Sequence, residues 1–379
     1  MKRICFLVDS IFTIGGVQRV TKVIAKELAT DFDVTIVTLD APTLLENDTI
    51  LKYRCFNYPD TPRWKNLLCK GYSYLYRKVL PQTRWTSDLY AHSSFPSEKR
   101  DALTKELQQG RYDAIIGVHA PLAIRLAACR KQLKGVKLIG WIHNSYQALF
   151  GDDSRYLGPE LRKHYEWQLG KLDRTVVLCQ YDAKAYHIPT KVIYNPLTLI
   201  PGEPSKGTSK KFLAVGRFSP LHKGFDLLIK AFALFAKNNK EWTLDIVGEG
   251  EEEETYRSLI KQNHLEDRIT IHPFTNDVQR YYSEAQVYVL SSRWEGFGLV
   301  LVEAMSHGVP VVSSDLPTSQ EMMGNFALYF KNGDIDDLAR ALQEATEMDW
   351  KRKSEEAMAI ASKFDVKVIA EQWRNMINE

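Results

Sequence analysis

The sequence predicts an α/β protein made of two doubly wound, Rossmann-like domains in tandem. Three observations lead there. Short apolar runs alternate with stretches of helical periodicity along the chain. The rhythm lapses once, around residues 195–211, and then restarts. The length, 379 residues, suits two domains that each bury their own core.

In the first half, residues 4–8 read as a strand, Val17, Val20, Ile24 and Leu28 follow at helical spacing, and residues 34–39 give the next strand. Further strands are expected at 114–118, 136–142 and 175–178. A βαβ rhythm of this kind implies a parallel sheet covered on both faces. Asn195-Pro196, Pro201-Gly202, Pro204 and Ser205-Lys206-Gly207 read as a linker, because these residues favour turns over regular structure. Beyond it come strand 212–215, helix 225–236, strand 244–247, a helix near 251–262, and strands 269–271, 287–290 and 309–313. Residues 350–379 read as helical. The domains expected are 1–198, 199–360 and a terminal helix at 361–379. Two such sheets in tandem would face each other across a cleft at their carboxyl ends, where ligands of this architecture bind.

The bulk composition narrows the classes. No apolar run approaches the roughly 20 residues needed to span a bilayer. The opening apolar stretch is cut short by Asp9 and reads as a buried strand rather than a signal peptide. The cysteines, at 5, 55, 69, 129 and 179, lack metal-binding or disulfide spacing, which fits a reducing cytoplasm. Net charge is +3, but residues 1–200 hold 29 basic against 19 acidic residues (+10) and residues 201–379 hold 21 against 28 (−7). That asymmetry points the first domain towards an anionic partner. Nucleic acid is a poor match, since no recognition motif occurs and aromatic–basic interleaving is confined to one segment.

The most informative segment runs from Arg293 to Ala304. Glu295 and Glu303 stand with seven residues between them; Gly296, Phe297, Gly298 and Leu299 lie between, and Gly308 and Pro310 close the apolar run. This reads as a loop entering a helix that ends in a glycine cap and a proline stop. Free N–H groups at a helix start, approached past glycines, suit a phosphate. A carboxylate beside a phosphate needs another partner, such as sugar hydroxyls, so a sugar joined to a phosphate is indicated. Gly15-Gly16 follows the first strand, and there a diphosphate-binding turn and an ordinary tight βα turn are equally good readings. It is not the G-x-G-x-x-G of a dinucleotide fold. Arg217 and Lys223 share the loop after the first strand of the second domain and can reach one diphosphate, though two solvated cations is the commoner outcome for such a pair.

These segments resemble the retaining glycosyltransferases of family 4, which have the GT-B fold. The resemblance rests on the Glu–x7–Glu segment with its glycines and closing His307-Gly308-Val309-Pro310, on Gly15-Gly16-Val17, and on Gly216-Arg217 with Lys223-Gly224. It implies a nucleotide-diphosphate sugar donor, a UDP-sugar foremost, and an acceptor hydroxyl on a cell-envelope glycan, polysaccharide or lipid-linked precursor. It implies roles as well. Arg217 and Lys223 stabilise the departing diphosphate, so no metal or other cofactor is needed. Gly15 and Gly16 touch donor phosphate, and Glu295 binds sugar hydroxyls with Gly296, Phe297, Gly298 and Leu299 around them. Glu303 binds the ribose, and His143, with His119 as its competitor, lies beside the transferred sugar. The terminal helix returns to the first domain. Phe274 is a candidate for the base pocket, although a core phenylalanine is the commoner reading after a strand.

Competing functions are a glycosidase, which leaves Arg217, Lys223 and the glycine pair unexplained, an epimerase of the same fold, and a catalytically silent sugar-nucleotide-binding subunit. Asp31–Asp33 and the acidic run at 334–337 read as solvated caps rather than metal ligands. Acceptor loops are expected at roughly 40–110. Within that stretch, residues 61–86 carry six Lys or Arg, no Asp or Glu, and interleaved Trp, Tyr and Leu. They read equally as a helix packed on the sheet or as a face for an anionic membrane.

Overall fold

A computed structural model describes residues 1–13, 15–39, 50–152, 154 and 156–379. Ile14 of the glycine loop and residues 40–49 of the expected acceptor stretch lie outside the described residues. The chain forms two compact units: Met1–Pro196 together with Val366–Glu379, and Leu197–Asp365.

The first unit is built on β1 (Arg3–Val8), β2 (Asp33–Thr38), β3 (Lys52–Cys55), β4 (Ala114–Val118), β5 (Lys137–Trp141), β6 (Arg174–Val177) and β7 (Lys191–Val192). Their order is β3-β2-β1-β4-β5-β6-β7, every pair parallel. β4, and β1 after its opening Arg3, are unbroken apolar runs buried on both faces, as strands beneath helices on either side must be. β3 and β7 were not expected. One is a polar edge strand and the other only two residues long, so neither carries an apolar run.

The helix Val366–Asn378 belongs to this unit. It packs on the helix Gly16–Leu28, which starts at the glycine pair. Arg374 donates from Nε to Asp31 Oδ2 at 2.6 Å and from Nη2 to the Glu27 carbonyl at 3.1 Å, and the Trp373 ring meets Trp141 with centroids 4.7 Å apart. Asp31 is thus solvated, as expected, but paired with Arg374, and Asp33 opens β2 with Lys52 Nζ 2.6 Å from its carboxylate.

The second unit carries β8 (Lys211–Val215), β9 (Thr243–Val247), β10 (Ile269–His272), β11 (Val287–Leu290), β12 (Val311–Ser314) and β13 (Leu328–Phe330), in the parallel order β10-β9-β8-β11-β12-β13. Phe212, Phe232, Phe235 and Trp242 fill the space between this sheet and the helix Phe225–Ala236. β12 starts two residues later than expected; Pro310 can only accept, and takes the Tyr288 N–H on its carbonyl. Asp334 does act as a helix cap, accepting from Asp337 N. The tail is not one helix. Trp350–Ala361 stays with the second unit, and a 3-10 turn at Ser362–Phe364 separates it from Val366–Asn378.

Candidate active site

In the second unit the candidate residues sit on loops at the carboxyl ends of neighbouring strands β8 and β11. The loop after β8 carries Arg217, which is exposed, and Lys223, which is not. Gly224 ends it with φ of 64°, where a Cβ would come within 2.0 Å of the Ser291 carbonyl oxygen. Several hydrogen bonds fasten the loop after β11 to this loop and to the helix that follows it. Ser291 Oγ donates to the Lys223 carbonyl at 2.8 Å, Arg293 N–H donates to the His222 carbonyl at 2.8 Å, and Arg293 makes a two-pronged pair with Asp226 at 2.9 and 2.7 Å. His222 stacks on Trp294, ring centroids 4.9 Å apart.

That fastening brings Lys223 Nζ to 2.6 Å from Glu295 Oε1, and Ser292 Oγ donates to the same oxygen at 2.7 Å. Glu295 is buried. Burial by itself raises a carboxyl pKa, but the Lys223 and His222 charges and the two hydrogen bonds outweigh it and hold Glu295 below its ordinary range. It is therefore a carboxylate at neutral pH. Gly296 and Phe297 lead to Gly298, which precedes the helix Leu299–Ser306 with φ of 85° and gives its first turn no side-chain cap. Phe297 is buried against Phe364, centroids 5.7 Å apart.

Glu303 lies one turn inside that helix and is 1 % exposed. Tyr282 Oη donates to its Oε2 at 3.0 Å and Thr198 Oγ1 to its Oε1 at 3.4 Å. His307 accounts for the end of the helix: Nδ1 contacts the Glu303 carbonyl at 2.8 Å, and Nε2 accepts from Gly202 N at 3.1 Å. Phe274, after β10, is 39 % exposed, so the core reading is wrong and the ring is open to a ligand.

In the first unit, Gly15 and Gly16 stand at the helix start after β1. The φ of Gly15 is −179°, extended backbone that any residue adopts, so its conformation alone does not require glycine. His143 follows β5 and is buried beside Trp141 and His119, at ring centroid distances of 4.3 and 5.4 Å. Neither of its ring nitrogens has a hydrogen-bond partner among the described residues. Burial, helped by the nearby His119, pushes its pKa well below the ordinary value and keeps it neutral. His119, between β4 and the helix Ala120–Ala128, has φ of 74° and is likewise held below its ordinary pKa by burial.

Sequence reasoning missed Ser292, Tyr282, Thr198 and the Arg293–Asp226 clamp. The partners of Glu303 lie 21 and 105 residues away, and no local pattern joins them. Ser292, three residues before Glu295, was close enough to be suspected. Among the described residues no three His, Cys, Asp or Glu side chains gather as metal ligands, and no helix is long and apolar enough to cross a membrane.

Two parallel-sheet units, each with polar groups on the loops leaving its strands, define the GT-B class of fold. Solved structures agree: Anabaena HepE in complex with UDP superposes with TM-score 0.77 at 21 % identity over 99 % of both chains. Sucrose-phosphate synthase from Thermosynechococcus elongatus superposes with TM-score 0.76 at 18 % identity over 100 % of this chain and 98 % of that one. Residues 198–363 match the model of "Glycosyl transferases group 1" and residues 14–201 that of "Glycosyltransferase Family 4". The chain belongs to the group 1 glycosyltransferases. An uncharacterized glycosyltransferase of Haemophilus influenzae is 27 % identical over the full length of both proteins. The poly(glycerol-phosphate) alpha-glucosyltransferase of Bacillus subtilis is 28 % identical over 40 % of this chain and 23 % of its own length. The amylovoran biosynthesis glycosyltransferase AmsD of Erwinia amylovora is 26 % identical over 44 % of this chain and 48 % of its own.

Proposed function

We propose that this glycosyltransferase moves a sugar from a UDP-sugar to an acceptor hydroxyl with retention of configuration and without a metal. The acceptor is a cell-envelope glycan, polysaccharide or lipid-linked precursor, met at the cytoplasmic face of the cell membrane. The observation that carries the reading is the Lys223–Glu295 pair, 2.6 Å apart and mostly buried, with Arg217 on the same loop and the uncapped helix start four residues past Glu295. A preset cation beside a preset carboxylate suits a ligand in which a diphosphate joins a sugar. The HepE structures with UDP and UDP-glucose and the glycan-building names of the relatives support the donor and acceptor classes.

In the proposed step the acceptor oxygen bonds to the anomeric carbon on the face the diphosphate leaves. The carbon–phosphate-oxygen bond breaks, and the acceptor proton passes to a diphosphate oxygen. Arg217 and Lys223 stabilise the charge that develops on the leaving group, and this is the task a metal performs elsewhere. Glu295 orients Lys223 and the sugar hydroxyls, Glu303 takes the ribose hydroxyls, and neutral His143 offers a hydrogen bond to the sugar. Gly15 and Gly16 let backbone approach the phosphates, and Phe274 lines the base pocket.

The test offers purified protein a panel of nucleotide sugars with envelope lipid and glycan extracts, in excess EDTA and with added Mg²⁺. UDP release that needs both donor and extract, persists in EDTA and yields an α-linked product from an α-linked donor is expected. An inverted product, or activity lost in EDTA and restored by Mg²⁺, would overturn the mechanism.

A further inference from the structure

The helix Arg63–Lys78 buries Tyr76 alone among its residues. Its inner edge is well fastened. Tyr76 stacks on Tyr90 with centroids 4.5 Å apart, Tyr72 Oη donates to the Thr86 carbonyl at 3.1 Å, Lys65 pairs with Glu98 at 2.7 Å, and Arg77 pairs with Glu160. The outer side is different. Trp64, Leu67, Leu68 and Tyr74 are 65–72 % exposed, and Leu75 and Val79 continue the same stripe. Trp85, at the start of the helix Arg84–Ser94, adds another exposed indole at 72 %. Single exposed leucines are ordinary, whereas a continuous stripe of this size on one helix marks a surface that meets something.

We propose that this stripe docks the enzyme on an anionic lipid bilayer. With Lys65 and Arg77 turned to inward carboxylates, Arg63, Lys70, Lys78 and Arg84 remain exposed along the stripe. Residues 61–86 contain no Asp or Glu to oppose them. A second copy laid symmetrically on the stripe would bring cations against cations, since a two-fold contact pairs a patch with itself. A bilayer carrying acidic headgroups accepts both parts of the stripe: indoles and leucines enter the headgroup–acyl boundary while Lys and Arg stay at the phosphates. The inference goes beyond glycosyl transfer, and vesicle binding requires neither donor nor acceptor.

Flotation of the full chain with phosphatidylcholine vesicles, with and without phosphatidylglycerol, tests it. Binding should require the anionic lipid and fall with salt. Lys70→Glu/Lys78→Glu/Arg84→Glu should weaken binding by about fivefold for each charge removed, and more for each charge reversed. Trp64→Ser/Leu67→Ser/Leu68→Ser should reduce it to background. These side chains are exposed, so circular dichroism should show an unchanged fold for both variants. Equal binding to neutral and anionic vesicles, or wild-type binding by both variants, would overturn the proposal. So would a failure to bind vesicles alongside a concentration-dependent dimer that the serine variant abolishes. UDP release by the wild type with a detergent-dispersed acceptor separates the two readings: its absence would count against the transfer reading and leave docking standing.

Discussion

The carboxyl ends of the two sheets carry polar groups held in opposite ways. In the second unit, Glu295, Lys223, Ser292, Arg293 and Asp226 hold one another through charged hydrogen bonds of 2.6–2.9 Å. In the first, the His143 ring has no hydrogen bond among the described residues; Trp141 and His119 pack on it, and Trp373 packs on Trp141. Both arrangements fix a side chain, but they respond to different insults. A charge network fails when one partner is removed or neutralised. An aromatic nest fails when a ring is lost, and it tolerates salt. The first leaves a strong field at the site, suited to a leaving group that becomes more negative. The second leaves a neutral donor in a place of low polarity.

The contrast can be broken from either side. Trp373→Ala should be the most damaging packing change. Loss of a fully buried ring costs about 3–5 kcal/mol, and amide hydrogen exchange should show lost protection across β5 with little change in the second unit. Lys223→Ala should cut UDP release by about 10²–10³-fold and should also lower stability, because it leaves the Glu295 carboxylate buried without its cation. A loss below tenfold would mean that the pair is structural. Arg293→Ala unfastens the two loops and should cost about 2 kcal/mol by urea unfolding. Tyr282→Phe removes one donor from buried Glu303 and should weaken UDP binding about fivefold by calorimetry.

The smallest effect is in pH, and its window, not its sign, separates the units. Folded His143 resists protonation, so the unfolded chain binds the proton more readily; its contribution is present above pH 6.5 and is lost as pH falls from there. Glu295 is also depressed, but from 4.5, so its contribution survives until pH falls below that value. Unfolding curves of wild type and His143→Gln should therefore converge as pH drops below about 6.5, and those of Glu295→Gln only in stronger acid.

Much of the second unit was legible in the sequence, because Arg217, Lys223 and Glu295 come from two short loops whose glycines and cations are local signals. What hid from sequence reading was long-range pairing. Nothing near Glu303 announces Tyr282, and nothing near Asp226 announces Arg293. Strands beneath helices on both sides declared themselves as apolar runs, whereas β3, β7 and β13 are short and weakly patterned. Phe274 misled because a phenylalanine after a strand usually turns inward, and this one turns out. The basic aromatic segment posed a choice between packing inward and facing out. The helix does both, with Tyr72 and Tyr76 on one side and Trp64, Leu67 and Leu68 on another.

The helix Val366–Asn378 has a consequence for biosynthesis. It is a wall of the first unit, yet the ribosome makes it only after all of Leu197–Asp365. At typical elongation rates that interval is roughly 10–30 s. Throughout it, the nascent first unit holds Trp141 and the outer side of the helix Gly16–Leu28 without their cover. The second unit has its whole chain when Asp365 emerges, so the half of the protein made first is the half completed last.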